Sequence, residues 1–230
     1  MTEKQKVLII GNKEYRNFNF NRVVDSYDTI YRFNFAWPGK NNGTKFGKLA
    51  MCSHMYENYV TACVSKEKSV DKYIHEIERE FLCDWYDFFE DNKQNFDEIY
   101  YERVDTKLCN KMLEDYKSPH RFRKMASSGY SVIFKNLAVG NEVHVMGFTL
   151  CAEETRKTLG ENETVVTLKN GGGGSHSFSD ERDILAWLHN NKKIDATLCM
   201  VEDTEKLSFR TNQYSTEPSE AMLELLKAVE

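Results

Sequence analysis

The strongest constraint on this chain is an unbroken apolar run, Val7-Leu8-Ile9-Ile10, that stops at Gly11. A strand with one wet face alternates apolar and polar residues. A continuous apolar strand is covered on both faces, as in parallel sheets flanked by helices. Short β-like runs recur at 29–33, 48–53, 98–104, 142–148 and 196–201. Between them lie helix-patterned segments. Residues 128–139 turn Val132, Ile133, Leu137 and Ala138 to one side, and residues 179–190 do the same with Ile184, Leu185, Trp187 and Leu188. Ser179 reads as an N-cap, followed by Asp180, Glu181 and Asp183 in the first turn, where the helix dipole favours acids. A third helix is expected at 217–229, with Pro218 near its start and Ala221, Met222, Leu225 and Leu226 on one stripe. Strands alternating with helices predict an α/β fold with a mostly parallel central sheet.

All 230 residues are expected to form one domain, 1–230. It carries a helical, aromatic insertion at about 57–117 and a flexible lid at about 153–175 that contains the tetraglycine Gly171–Gly174. The 40% hydrophobic content, with 14 Phe and 12 Tyr, is enough to bury a substantial core. A net charge of −5 argues against a general nucleic-acid binder while leaving room for one anion-accepting pocket. The apolar runs are too short to span a bilayer, and Met-Thr-Glu-Lys-Gln-Lys leading straight into a strand does not read as a leader. These features predict a cytoplasmic protein without a transmembrane segment. The C-terminal amphipathic stretch leaves peripheral membrane contact and oligomerisation open. Six cysteines without a C-x-x-C pair read as buried, reduced thiols.

Four groups of residues carry candidate chemistry. Gly11 and Asn12 end the first strand, where an open parallel sheet binds ligands, and a glycine there permits close backbone approach. Asn34 ends the second strand. Ser127, Ser128 and Gly129 open a helix, a corner where backbone N–H groups and the dipole accept anions. His176 follows the tetraglycine and precedes Glu181 by five positions, which offers a base that works near neutral pH beside a loop able to close. Each group also has an ordinary structural reading: a turn, a strand end, an N-cap, a loop histidine. The chain has no G-x-G-x-x-G, H-E-x-x-H, G-x-S-x-G or D-x-D pattern.

In this order the groups resemble the motifs of the sialyltransferases (glycosyltransferase families 29 and 42). The segment VLIIGN…VVDSYDTIYRFNFAWPGKNNGTKFGKLAMCSHMYENY is similar to their long N-terminal motif, with "D-x-x-D-x-x-x-R-x-N" inside it. SSGYSVIFKNLAVGNEVHVMGF resembles their second motif, and His176 and Glu181 match H-x-x-x-x-E. The resemblance spans most of the chain except about 60–117. It implies a single Rossmann-like domain, a GT-A variant, with no metal and no cofactor, a CMP-sugar donor, a glycan acceptor and inversion at the anomeric carbon. It also implies that Asn12 and Asn34 hold CMP, and that Gly11, Ser127, Ser128 and Gly129 line the nucleotide and phosphate site. Gly147 and Phe148 would shape the pocket, His176 would be the general base, and Glu181 would support the nucleotide or the helix.

The chain departs from the family at three points. Thr149-Leu150-Cys151-Ala152 stand where bacterial members carry tyrosines that assist the leaving phosphate, so that Arg156 or Lys157 would have to substitute. No His-Tyr-Tyr motif is present, and Val139-Gly140-Asn141 replace a motif cysteine of the animal enzymes. Four alternatives stay open: a CMP-Kdo transferase of the same fold, a catalytically degenerate CMP-sugar-binding protein, a hydrolase of CMP-sugars or other phosphoesters, and a structural or protein-interaction role.

Overall fold

The structure is a computed structural model that describes residues 4–11, 19–33, 38, 41–52, 87, 89–148, 154–159, 162–169 and 176–200. Its centre is a sheet of five strands in the order β4-β3-β2-β1-β5: β1 (Lys6–Ile10), β2 (Thr29–Phe33), β3 (Lys48–Cys52), β4 (Glu98–Glu102) and β5 (Glu142–Met146). All four pairings are parallel. The expected α/β class with a parallel sheet is therefore present.

The apolar run of β1 explains its central place. Val7 and Ile9 belong to a core cluster with Val143, Val145 and residues of four helices. Leu8 and Ile10, which alternate to the opposite face, are equally buried. Val23 and Val24 of the short helix α1 (Asn21–Asp25) are buried too, as are Phe20 and Tyr27, and the Tyr27 ring lies edge-on to His144 of β5 at 5.3 Å.

Helix α2 (Thr106–Asp115) starts on the Asp105 carboxylate, which accepts from the Leu108 N–H at 2.9 Å. Helix α3 (Ser128–Ala138) buries Tyr130, Val132, Ile133 and Phe134, and helix α4 (Phe178–Asn190) buries Ile184, Leu185 and Leu188. Helix α4 begins one residue before the expected start. Its N-cap is Ser177, not Ser179.

The run 196–201, expected as a strand, is corrected by the structure. Asp195 makes one parallel bridge beside β5, with its N–H on Val143 O and its carbonyl accepting from Val145 N. Its carboxylate then takes the Thr197 N–H at 2.9 Å, and the chain turns into the short helix α5 (Thr197–Met200). Ala196, Leu198 and Cys199 are apolar because they are buried, not because they pair. A short apolar run has no period that separates the two cases.

Within the expected insertion, β4 and α2 are integral to the main sheet and its helical layer. In the segment read as a lid, β6 (Glu154–Leu159) and β7 (Asn162–Lys169) pair as an antiparallel hairpin. The expected helix at 217–229 lies outside the described residues. Among the described residues, no helix is long and apolar enough to cross a membrane. Cys109 and Cys199 are buried, and burial pushes the Cys109 thiol up to about 12, which keeps it protonated and unreactive near neutral pH.

Candidate active site

The strand order sets the place. From β1 the chain adds β2, β3 and β4 successively on one side, then returns to place β5 on the other. Such a reversal opens a crevice outside the carboxyl ends of the two strands flanking it. Gly11 leaves β1 and Gly147 leaves β5 at that point.

The two glycines touch. The Gly11 N–H donates to Met146 O at 2.7 Å, and a Cβ on Gly11 would stand 2.5 Å from Gly147 O. Gly147 has φ +72°, and a Cβ there would meet Gly11 O at 2.9 Å. The close backbone approach that Gly11 permits is thus first of all to the neighbouring strand exit.

Phe148 follows and closes the corner. Its ring lies edge-on to Tyr130 (5.9 Å) and to Phe33 (6.5 Å). A Cβ on Gly129 would come within 2.8 Å of the Phe148 ring, so Gly129 admits the ring against the first turn of α3.

Ser127 caps α3 with extended backbone but without a side-chain hydrogen bond. Its own N–H donates to Glu181 Oε1 at 2.8 Å, and Tyr130 Oη donates to the Glu181 carbonyl at 2.5 Å. Glu181 is buried, and desolvation raises its carboxyl above the ordinary value, opposed by the Ser127 N–H and by His176. It joins the N-termini of α3 and α4.

His176 sits just before α4 and is half-buried. Its Nδ1 lies 2.9 Å from the Met125 carbonyl, which can only accept. Nδ1 therefore carries the proton, and in the neutral ring Nε2 holds the free electron pair. From Met125 the chain reaches Ser127 in two residues, which puts the imidazole beside the α3 corner.

Two partners escaped the sequence reading. Asp180 is buried and receives the Arg123 guanidinium through Nε and Nη2, with the Arg123 backbone N–H at 3.3 Å. The Arg123 bonds hold the Asp180 carboxyl below its ordinary value. The two residues are 57 positions apart, and helix-start acids look alike in a sequence whether or not they have a distant partner.

The long N-terminal motif is structural where it is described. Asp25 accepts from the N–H groups of Thr44 and Lys45. Arg32, fully buried, donates to the carbonyls of Asn42, Lys45 and Phe46 at 2.8–3.2 Å. Together they clamp the loop that enters β3.

The structure thus gathers Gly11, Ser127, Ser128, Gly129, Gly147, Phe148, His176 and Glu181 into one region. Asn12, Asn34 and the tetraglycine lie outside the described residues. Arg156 and Lys157 lie in β6, in register with Thr167 and Val166.

The chain is thus an α/β protein whose parallel sheet has its reversal point beside Gly11 and Gly147. No family model and no curated protein sequence matches the chain. Solved structures similar to it include a mammalian sialyltransferase, at 14% identity over 85% of this chain and 70% of that one, with a TM-score of 0.43. The monofunctional alpha-2,3-sialyltransferase Cst-I from Campylobacter jejuni is similar at 13% identity over 100% of this chain and 94% of that one, also with a TM-score of 0.43.

Proposed function

We propose that this chain is an inverting, metal-independent, cytoplasmic glycosyltransferase with a single Rossmann-like domain of the GT-A-variant type. In this reading it moves a sialic acid, or a related nonulosonic acid, from a CMP-sugar to a glycan hydroxyl. The observation that carries the reading is the His176 hydrogen bond: with Nδ1–H committed to Met125 O, Nε2 is the basic nitrogen, beside the segment that leads into the Ser127–Gly129 corner. The ordered sequence motifs support the same assignment.

In the proposed step the acceptor hydroxyl gives its proton to Nε2 as its oxygen bonds to the anomeric carbon. The bond from that carbon to the phosphate oxygen breaks on the opposite side, and its electron pair leaves with CMP. The centre passes through an oxocarbenium-like state and inverts. CMP departs as a phosphate monoester anion, which N–H donors at the start of α3 suit. Asn12 and Asn34 are assigned to the nucleotide, and Gly147 and Phe148 to the wall of the pocket.

The test measures CMP release from CMP-Neu5Ac and CMP-Kdo, with and without a mixed glycan acceptor and a chelator. His176→Ala is expected to lower acceptor-stimulated release about a hundredfold or more. Release that is indifferent to His176, or abolished by chelator, would overturn the mechanism. Turnover of CMP-Kdo alone would assign the other sugar, and CMP binding without turnover would leave a binding protein.

A further inference from the structure

We propose that the acceptor is an anionic glycan, bearing a carboxylate or phosphate group, and that the strap from His120 to Met125 recognises it through Arg121 and Arg123. This rests on the transferase reading above for the word acceptor. The geometry of the strap does not depend on that reading.

The chain carries a net charge of −5, yet residues 116–141 contain no acid and five cations: Lys117, Arg121, Arg123, Lys124 and Lys135. Carboxylates from neighbouring elements meet part of this charge. Asp180 pairs with Arg123, Glu102 pairs with Lys135 at 2.6 Å, and Glu181 is committed to the Ser127 N–H. Arg121 is exposed and has no ion pair among the described residues, and Lys124 beside it is also exposed. Arg123 keeps 68% of its side chain open to solvent despite its pairing, so part of its donor fork can still face a ligand.

The strap is held at several points. Asn110 binds the Phe122 backbone twice, donating to its carbonyl at 3.0 Å and accepting from its N–H at 2.8 Å. The Phe122 ring is buried, edge-on to Tyr130 (5.4 Å) and Phe134 (6.1 Å). The Ala126 N–H donates to Thr106 Oγ1 at 3.0 Å. With Phe122 turned inward, Arg121 and Arg123 project outward from a backbone that needs little further ordering on binding.

Chain order assigns the ligand. His176 is bonded to Met125. In one direction from Met125 lie Ala126 and the Ser127–Gly129 corner, the donor side. In the other lie Lys124, Arg123 and Arg121. The Arg123 guanidinium meets Asp180 in the first turn of α4, so the strap and His176 share the start of that helix, and guanidiniums there suit carboxylate or phosphate oxygens on the molecule whose hydroxyl reaches Nε2.

The test compares affinities of lactose, sialylated lactose and a phosphorylated lactose by calorimetry, alongside transfer to each from the accepted donor. Wild type is expected to bind at least one anionic glycan about tenfold more tightly than lactose, with the preference shrinking in 0.5 M salt. Arg121→Ala is expected to remove most of that preference, and Arg121→Lys to restore part of it. The sialylated and phosphorylated arms tell carboxylate from phosphate. Equal affinity for neutral and anionic glycans overturns the inference, as does an Arg121→Ala effect of equal size on lactose. Arg121-dependent anionic binding without any donor turnover upholds the strap's specificity and removes the transferase reading instead.

Discussion

The backbone N–H of Ser127 donates to Glu181 Oε1 at 2.8 Å, so the helix that opens the crevice starts on a carboxylate delivered by the helix after the histidine. Burial is the main cause of the raised Glu181 value. The folded state therefore holds this proton more tightly than the unfolded chain. The contribution of Glu181 is greatest at low pH and declines as pH rises from 4.5 toward its folded value.

Glu181→Gln keeps an oxygen for the Ser127 N–H and removes the buried charge. Its melting temperature at pH 7 should equal or exceed that of wild type. Glu181→Ala, which strands the N–H, should cost about 1–3 kcal/mol. Thermal denaturation across pH 4–8 checks both, and equal losses in the two variants would refute the account.

Gly11→Ala drives a Cβ into the Gly147 carbonyl, a backbone atom that cannot swing aside. We expect a loss of at least about 2 kcal/mol as the β1 and β5 exits separate, together with weakened CMP binding. Gly140 is the control. Unlike Gly11 it has positive φ (+84°), but a Cβ there meets nothing within 4 Å. Gly140→Ala should cost only about 1 kcal/mol and leave CMP titrations unchanged.

Arg32→Met removes the donors held by Asn42, Lys45 and Phe46. Loss of these hydrogen bonds should cost about 3 kcal/mol, or roughly 6–12 °C in melting temperature. A change below about 2 °C would show that the loop finds other donors.

His189 is buried on α4 and accepts the Ala196 N–H at 3.0 Å. Burial lowers its value below 6.5. The unfolded chain then binds this proton more readily, so stability is fully present above about pH 6.5 and falls as pH drops toward the folded value. Denaturant midpoints from pH 7.5 to 5 should show this decline. His189→Gln should flatten it within that window, and an unchanged slope would remove His189 as its source.

Much of the architecture was legible because strand signals are local. Val7–Ile10 announces burial on both faces in its own letters, and β2, β3, β4 and β5 begin where their patterns predict. The end of β5 was less legible. Residues 147–148 read as strand, but Gly147 at positive φ ends the pairing and turns Phe148 onto Gly129. Asp195 likewise converts an apolar run into a helix by a side-chain hydrogen bond that no periodicity encodes.

The site divides in the same way. Residue type and order were enough to single out Gly11, the Ser127–Gly129 corner and His176, because a glycine after a strand, a serine before a helix and a histidine after a glycine run each have local meaning. Their convergence was decided by the tertiary structure alone. The ring nitrogen of His176 that carries the proton depends on a carbonyl 51 residues away, and the partner of Asp180 lies 57 residues away. Such contacts exist only once the parallel sheet has brought distant strand ends and helix starts to one edge, since a hydrogen bond is specified by position in space and leaves no periodic trace in the sequence.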